Sequence, residues 1–157
     1  MYQENHDKIS PSSPDQNTRK TEILILGGGF GGIYAGKALS SLARKKKKSV
    51  SIIARENHMV FQPMLPEVAG SSLSPRDVVN PIRQLCRGCF VYKGTVTSID
   101  VKAKWVKMSA VNFTPDFTFE YEHLVVSMGA VVDLSRIPGM AEHAFLIQNV
   151  GDAMKLR

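Results

Sequence analysis

In EILIL, 22–26, every residue after the first is apolar, with no polar alternation. A run that short and unbroken suits a strand buried on both faces, as the strands of a parallel sheet are. Beyond it the rhythm changes. Ala35, Ala38, Leu39, Leu42 and Ala43 recur at spacings of three and four, which places one apolar face on a helix. SVSII, 49–53, returns to strand character. Strand, turn, helix and strand within about thirty residues predict a βαβ unit.

SPRD, 74–77, combines a capping serine, a first-turn proline and an acid three residues after the cap, all suited to a helix start. Pro81 has no amide with which to continue a helix, so a short turn and a second start capped by Asn80 are predicted. FVYKG, 90–94, is a strand again. TVTSIDV (95–101), KWVKM (104–108) and FTFEY (117–121) follow as three short strands, with turns at 102–104 and 112–116. Such a meander stands where a plain doubly wound fold would use a helix. HLVVSMGA, 123–130, reads as a buried strand ending in glycine, and Ala153, Met154 and Leu156 mark a last helix. The fold class is therefore α/β: Rossmann-like, with a parallel sheet and a three-stranded β-meander crossover. No internal repeat is visible.

The first twenty residues change the picture only at the edge: polar, charged and proline-bearing, they read as a disordered leader without the apolar core of a secretory signal. Residues 21–157 then form one domain of ordinary size, and 43% apolar with 22% charged residues excludes a fibrous or fully disordered chain. The longest nearly continuous apolar stretch, 124–132, is far short of the about twenty residues that span a bilayer. The run RKKKK, 44–48, supplies five of the six net positive charges, so the basic character is a local patch at a helix end, where cations suit the dipole. That patch suits an anionic membrane surface as well as a solvated helix end. With no aromatic platform or reading helix beside it, nucleic acid is not expected as a partner.

Candidate chemistry sits between the first strand and helix. Gly27, Gly29 and Gly32 fit G-x-G-x-x-G. In that motif the first glycine turns the chain off the strand, the second admits a pyrophosphate to the backbone, and the third lets helix and strand lie close. The helix start adds free amides and a partial positive charge. A glycine-rich turn alone is weak evidence; its place in a βαβ unit is what favours dinucleotide binding. An acid is expected about twenty residues on, at the end of the second strand. Ala54 holds that end, Arg55 follows, and Glu56 is the nearest carboxylate and hence the candidate for the ribose hydroxyls. Arg55 there could favour a 2′-phosphate, but the meander argues against it.

With that turn, the stretch 54–85 containing FQPMLPEVAG and SLSPRD, the meander and YEHLVVSMGA, the sequence resembles the type II NADH dehydrogenases, flavoproteins with two dinucleotide-binding domains. The resemblance covers 21–157. It implies that the first glycine loop holds FAD, with Gly27, Gly28, Gly29, Phe30, Gly31, Gly32 and Ile33 along the pyrophosphate. It places Ala54, Arg55 and Glu56 by the adenosine ribose, and Thr95 and Val96 at the adenine through backbone groups. Gln62, Pro63 and Met64 would approach the flavin ring, and Ser127, Met128 and Gly129 stand where the family usually has Ala-Thr-Gly, Gly129 keeping the close backbone approach. Ser127 and Met128 depart from the Ala-Thr usual there, which removes a threonine hydroxyl.

The implied chemistry is hydride transfer from NADH to FAD and passage of electrons to a quinone, with a cytoplasmic enzyme peripheral on the inner face of the cell membrane and a homodimer left open. Rival readings are another pyridine-nucleotide flavoprotein reductase and a non-catalytic nucleotide-binding fragment. Relatives carry a second glycine loop and a C-terminal quinone region, so 21–157 is expected to be the FAD-binding N-terminal part of a longer, truncated enzyme, not competent alone. Cys86 and Cys89 form a C-x-x-C at a predicted helix end, read as packing; no metal site is expected, and His58, His123 and His143 are scattered.

Overall fold

A computed structural model describes residues 17–110 and 116–157. The elements are β1 (Thr18–Leu26), α1 (Phe30–Lys45), β2 (Val50–Ala54), β3 (His58–Val60), α2 (Leu65–Ala69), β4 (Val79–Pro81), α3 (Ile82–Leu85), β5 (Phe90–Asp100), β6 (Trp105–Ala110), β7 (Phe117–Val126), α4 (Met140–His143) and α5 (Val150–Leu156). Short 3-10 turns cover Gln62–Met64, Pro75–Val78 and Leu134–Arg136.

β1 is an inner strand of the parallel run β7–β1–β2–β5. It pairs in parallel with β2 on one side and β7 on the other, and β2 pairs in parallel with β5. β6 then joins β5 to β7 antiparallel and closes the sheet. Closure explains why ILIL, 23–26, is apolar throughout. Successive strand side chains point to opposite faces, and both faces of β1 are covered. Ile25 belongs to the outer cluster with Val50, Ile52, Ile33 and Ala43, under α1. Leu24 and Leu26 belong to the inner one with Ile53, Val106, Met108, Phe119 and Tyr121, inside the ring. Phe119 is fully buried and meets Tyr92 edge-on, the ring centroids 4.8 Å apart.

The boundaries differ from the sequence reading in four places. FVYKG and TVTSIDV are one strand, β5, which turns from its parallel partner β2 to its antiparallel partner β6 at Lys93–Gly94. FTFEY and HLVV are likewise one strand, β7. In β5 a change of partner separates the halves; in β7 the first half lies between β1 and β6 and the second keeps β1 alone, with no break in the chain. β1 starts at Thr18, three residues inside the predicted leader, because Thr18, Arg19 and Lys20 find partners in Thr118, Phe119 and Glu120; the leader's other residues, 1–16, lie outside those described. Asn80 caps nothing. It lies in β4, paired with Met59 of β3, and Pro81 occupies the cap position of α3. Ser74 and Asp77 do form a reciprocal capping box, around a 3-10 turn. The turn at 102–104 is present, with the Ala103 amide on Asp100 Oδ1 at 2.7 Å; most of that expected at 112–116 lies outside the described residues.

QPMLPEVA, 62–69, is helical: the 3-10 turn runs straight into α2. Leu65 and Val68 bury against Val78 and Ala153, so α2 packs on α5 and fastens the last helix to the body of the domain.

Candidate functional site

Three parallel strands end side by side: β2 at Ala54, β1 at Leu26 and β7 at Val126. β1 lies between the strand that follows it through α1 and the strand reached much later. This is a switch point among the parallel strands, where the connections leave in opposite directions and a crevice lies beyond the carboxyl ends of the strands, the place where dinucleotide-binding sheets take their ligands. The backbone seals it. Gly27 N–H donates to the Ile53 carbonyl at 2.8 Å, and the Leu26 carbonyl accepts from both the Ser127 amide (2.8 Å) and the Ser127 hydroxyl (2.9 Å).

Each glycine of the turn answers to a different neighbour. Gly27 has φ +111°, and a side chain on it would overlap the Ser127 carbonyl. On Gly28 a Cβ would stand 2.5 Å from Ile82 Cδ1 and 2.8 Å from Ala54 Cβ. On Gly32 it would overlap the Gly27 carbonyl oxygen, so the first turn of α1 lies directly against the strand end. Gly29 is the exception: nothing lies within 4 Å of its added Cβ. Fold closure explains Gly27, Gly28 and Gly32. Open space beside bare backbone is left at Gly29, the N-cap of α1, with no side-chain cap and no acid in the first turn. Helix-start amides left without a protein partner suit an anion, so the cradle fits a pyrophosphate on its own geometry.

The other predicted residues fall around this crevice. Ala54 is buried against Gly28. Arg55 and Glu56 are exposed just past the strand end, and Glu56 holds Lys93 Nζ at 3.1 Å. Lys93 is opposite Ala54 in the register. Thr95 and Val96 continue β5 beyond the end of β2; Val96 packs on the inner cluster, and β2 pairs with β5 no further than Lys93. Gln62, Pro63 and Met64 are exposed, and Phe61 before them meets Phe30 edge-on at 5.6 Å, which ties this segment to the start of α1. Gln62 Nε2 donates to the Gln148 carbonyl at 3.1 Å. Met128 is exposed, and Gly129 has φ +76° with open space at its Cβ position.

Phe61, Ile82 and Lys93 were not singled out from the sequence. Ile82 reads as one apolar residue among many, and only the fold shows it touching Gly28. Lys93 was reachable: once 49–53 and 90–94 are set side by side in parallel, the lysine falls beside the residues that end β2. Among the described residues no group of three or more metal-ligating side chains converges. No helix among them is long and apolar enough to cross a membrane.

Sheet order and turn together define an α/β dinucleotide-binding flavoprotein fold. The chain belongs to the pyridine nucleotide-disulphide oxidoreductase family, whose model matches residues 21–157. It is similar to the type II NADH:quinone oxidoreductase Ndh of Mycobacterium tuberculosis, 31% identical over 145 residues, covering 90% of this chain and 30% of that protein. The mitochondrial external alternative NAD(P)H-ubiquinone oxidoreductase B4 of Arabidopsis thaliana is 28% identical over 159 residues, 97% of this chain and 27% of the relative. Among solved structures, NDH2 from Plasmodium falciparum in complex with NADH superposes with a TM-score of 0.71 at 27% identity, over 88% of this chain and 28% of that one. The chain thus spans under a third of the length of these relatives, and the resemblance read from its residues is to the same group of proteins.

Proposed function

We propose that this chain is the FAD-binding portion of an oxidoreductase that takes hydride from NADH and delivers electrons to a quinone. The observation that carries the reading is Gly29: an uncapped helix start with open space beside it, set at the switch point between β1 and β7. Relatives named as NADH:quinone oxidoreductases supply the direction of the chemistry.

In this reading the amides from Gly29 to Gly32 receive the pyrophosphate, with Phe30 and Ile33 holding the first turn in place. Glu56, steadied by Lys93, accepts from the adenosine ribose hydroxyls. The edge of β5 at Thr95 and Val96, free of β2, offers backbone groups to the adenine. Gln62, Pro63 and Met64 stand at the flavin-ring end, held near α1 by the Phe30–Phe61 contact, and Ser127, Met128 and Gly129 line the side opposite. Bound FAD would supply the hydride acceptor and pass on two electrons; the protein supplies position and electrostatics. The sequence contains one G-x-G-x-x-G, so sites for NADH and the quinone are assigned outside these residues, and the basic run 44–48 offers a contact with an anionic membrane surface.

A fluorescence titration tests this. FAD added to the chain should lose emission as it binds, weakly, and ADP should displace it, while NADH oxidation by the chain alone stays at background. No binding up to millimolar FAD, or robust NADH:quinone turnover by these 157 residues, would overturn the reading.

A further inference from the structure

On the seam between α1 and α3, away from the glycine turn's open side, two thiols converge on one residue. Cys86 is buried, 1% exposed, and its Sγ donates to the Ile33 carbonyl at 3.2 Å. Cys89 is half-buried and its Sγ donates to the Gly36 carbonyl at 3.6 Å. A Cβ on Gly36 would stand 3.0 Å from the first sulfur and 3.4 Å from the second. Gly36 therefore makes the space in which the sulfurs face each other. The chain between them is already folded for closure: Cys89 N–H bonds the Cys86 carbonyl at 3.2 Å, and Gly88 takes φ +100° to make the bend.

Packing alone explains a small buried residue at 86. It does not explain a second thiol brought to the same glycine and aimed at the same helix. Both S–H groups donate to carbonyls of α1, and one of those carbonyls belongs to Ile33, within the first turn after Gly29. The dithiol is thus a clasp on the back of the helix whose front presents its amides to the crevice.

We propose that Cys86 and Cys89 are a modification site, a dithiol that closes reversibly to a disulfide by exchange with a low-molecular-weight disulfide and thereby loosens the start of α1. Cys89, the more exposed, attacks as thiolate; its sulfur bonds one sulfur of the small disulfide, and the other leaves as a thiol. The Cys86 sulfur then displaces the remaining small thiol from Cys89. Two electrons pass from the cysteine pair to the small disulfide, and the two thiol protons finish on its two halves. Once closed, neither sulfur has a hydrogen to donate, so the Ile33 and Gly36 carbonyls lose their thiol partners together. Burial keeps both thiols protonated at neutral pH, so exchange is slow there and the reduced clasp is the resting state.

The test uses the whole chain in buffers of reduced and oxidised glutathione, with intact mass, thiol counting and amide hydrogen exchange as readouts; none involves a flavin, so the result is independent of cofactor binding. The expected outcome is a species lighter by two hydrogens with no free thiol, restored by dithiothreitol. In it the amides of α1 from Ile33 to Lys37, the first that carry helical hydrogen bonds, should exchange severalfold faster while those of β6 and β7 stay unchanged. Cys89→Ser, which keeps the buried Cys86, should show neither change. Persistent mixed disulfide with glutathione, no reaction short of unfolding, or a closed disulfide with unaltered α1 exchange would each overturn the proposal.

Discussion

Gly32 lies so close to Gly27 that a methyl group on its α-carbon would overlap the Gly27 carbonyl oxygen. Backbone meets backbone there, and neither side can yield as a flexible side chain would. Gly32→Ala should therefore destabilise the fold by about 1–3 kcal/mol, the usual cost of overpacking, or more. Chemical denaturation of the purified variant measures it.

Gly29→Ala should behave in the opposite way. With φ −83° at the N-cap and nothing near the added methyl, the cost is about 1 kcal/mol at most, the loss of a tolerated cap residue. FAD affinity should nevertheless fall by tenfold or more, because the methyl fills the approach to the helix-start amides. A paired measurement of denaturation midpoint and flavin titration separates the two effects.

The glycine turn, the first two strands and α1 were legible because their signals are local: an apolar run, a glycine cluster, a 3.6-residue period. The partner switch of β5 was not. Gly94 stands at the point where β2 gives way to β6, with no room for a Cβ against the Ser109 carbonyl, but in sequence a glycine there reads equally as the end of a strand. The small β3–β4 sheet was missed for a related reason, three residues a side being too short for any alternation to show. At the candidate site, Glu56 was legible from its distance along the chain, whereas its partner Lys93 depends on parallel register. The arrangement around Cys86 and Cys89 depends on Gly36, a residue that in sequence is only one more glycine in a helix.

Ile82 couples the core to the turn. It is fully buried, its N–H bonds the Asn57 carbonyl at 2.9 Å, and its Cδ1 fills the place a Gly28 side chain would need. Ile82→Ala should cost about 2–5 kcal/mol and Ile82→Val about 0.5–1.5 kcal/mol, read as shifts in denaturant midpoint at constant slope.

Glu56 and Lys93 form an ion pair at 3.1 Å with both side chains largely in water. Exposed pairs contribute about 0–1 kcal/mol to stability, so Lys93→Met should leave the melting temperature nearly unchanged. Glu56→Gln should leave it unchanged too and yet weaken FAD binding, with little effect on free flavin mononucleotide, which lacks the adenosine. Equal losses for the two ligands would remove Glu56 from the ribose.

Burial, with the neighbouring Cys86, pushes the Cys89 thiol from 9.0 up to about 11. Unfolded chains release that proton near the lower value and the native state holds it to the higher one. The thiol's contribution to stability is therefore whole below pH 9 and lost as pH rises from 9 through 11. Cys86 is pushed the same way by burial, against the Cys89 hydrogen bond and the Lys37 charge, which pull it down. Between pH 8.5 and about 10.5 the native protein should lose more stability than Cys89→Ser over the same interval, as followed by urea denaturation; an equal or smaller loss would contradict the assignment.

The most direct test of dinucleotide binding at this turn is an amide chemical-shift titration of the isotope-labelled chain with FAD, which detects even weak binding. The largest shifts are expected at Gly29, Phe30, Gly31 and Gly32, with a second group at Thr95 and at Ser127 to Gly129, and ADP should reproduce the first group. Shifts confined to other surfaces, or none at the glycine turn at saturating FAD, would contradict it.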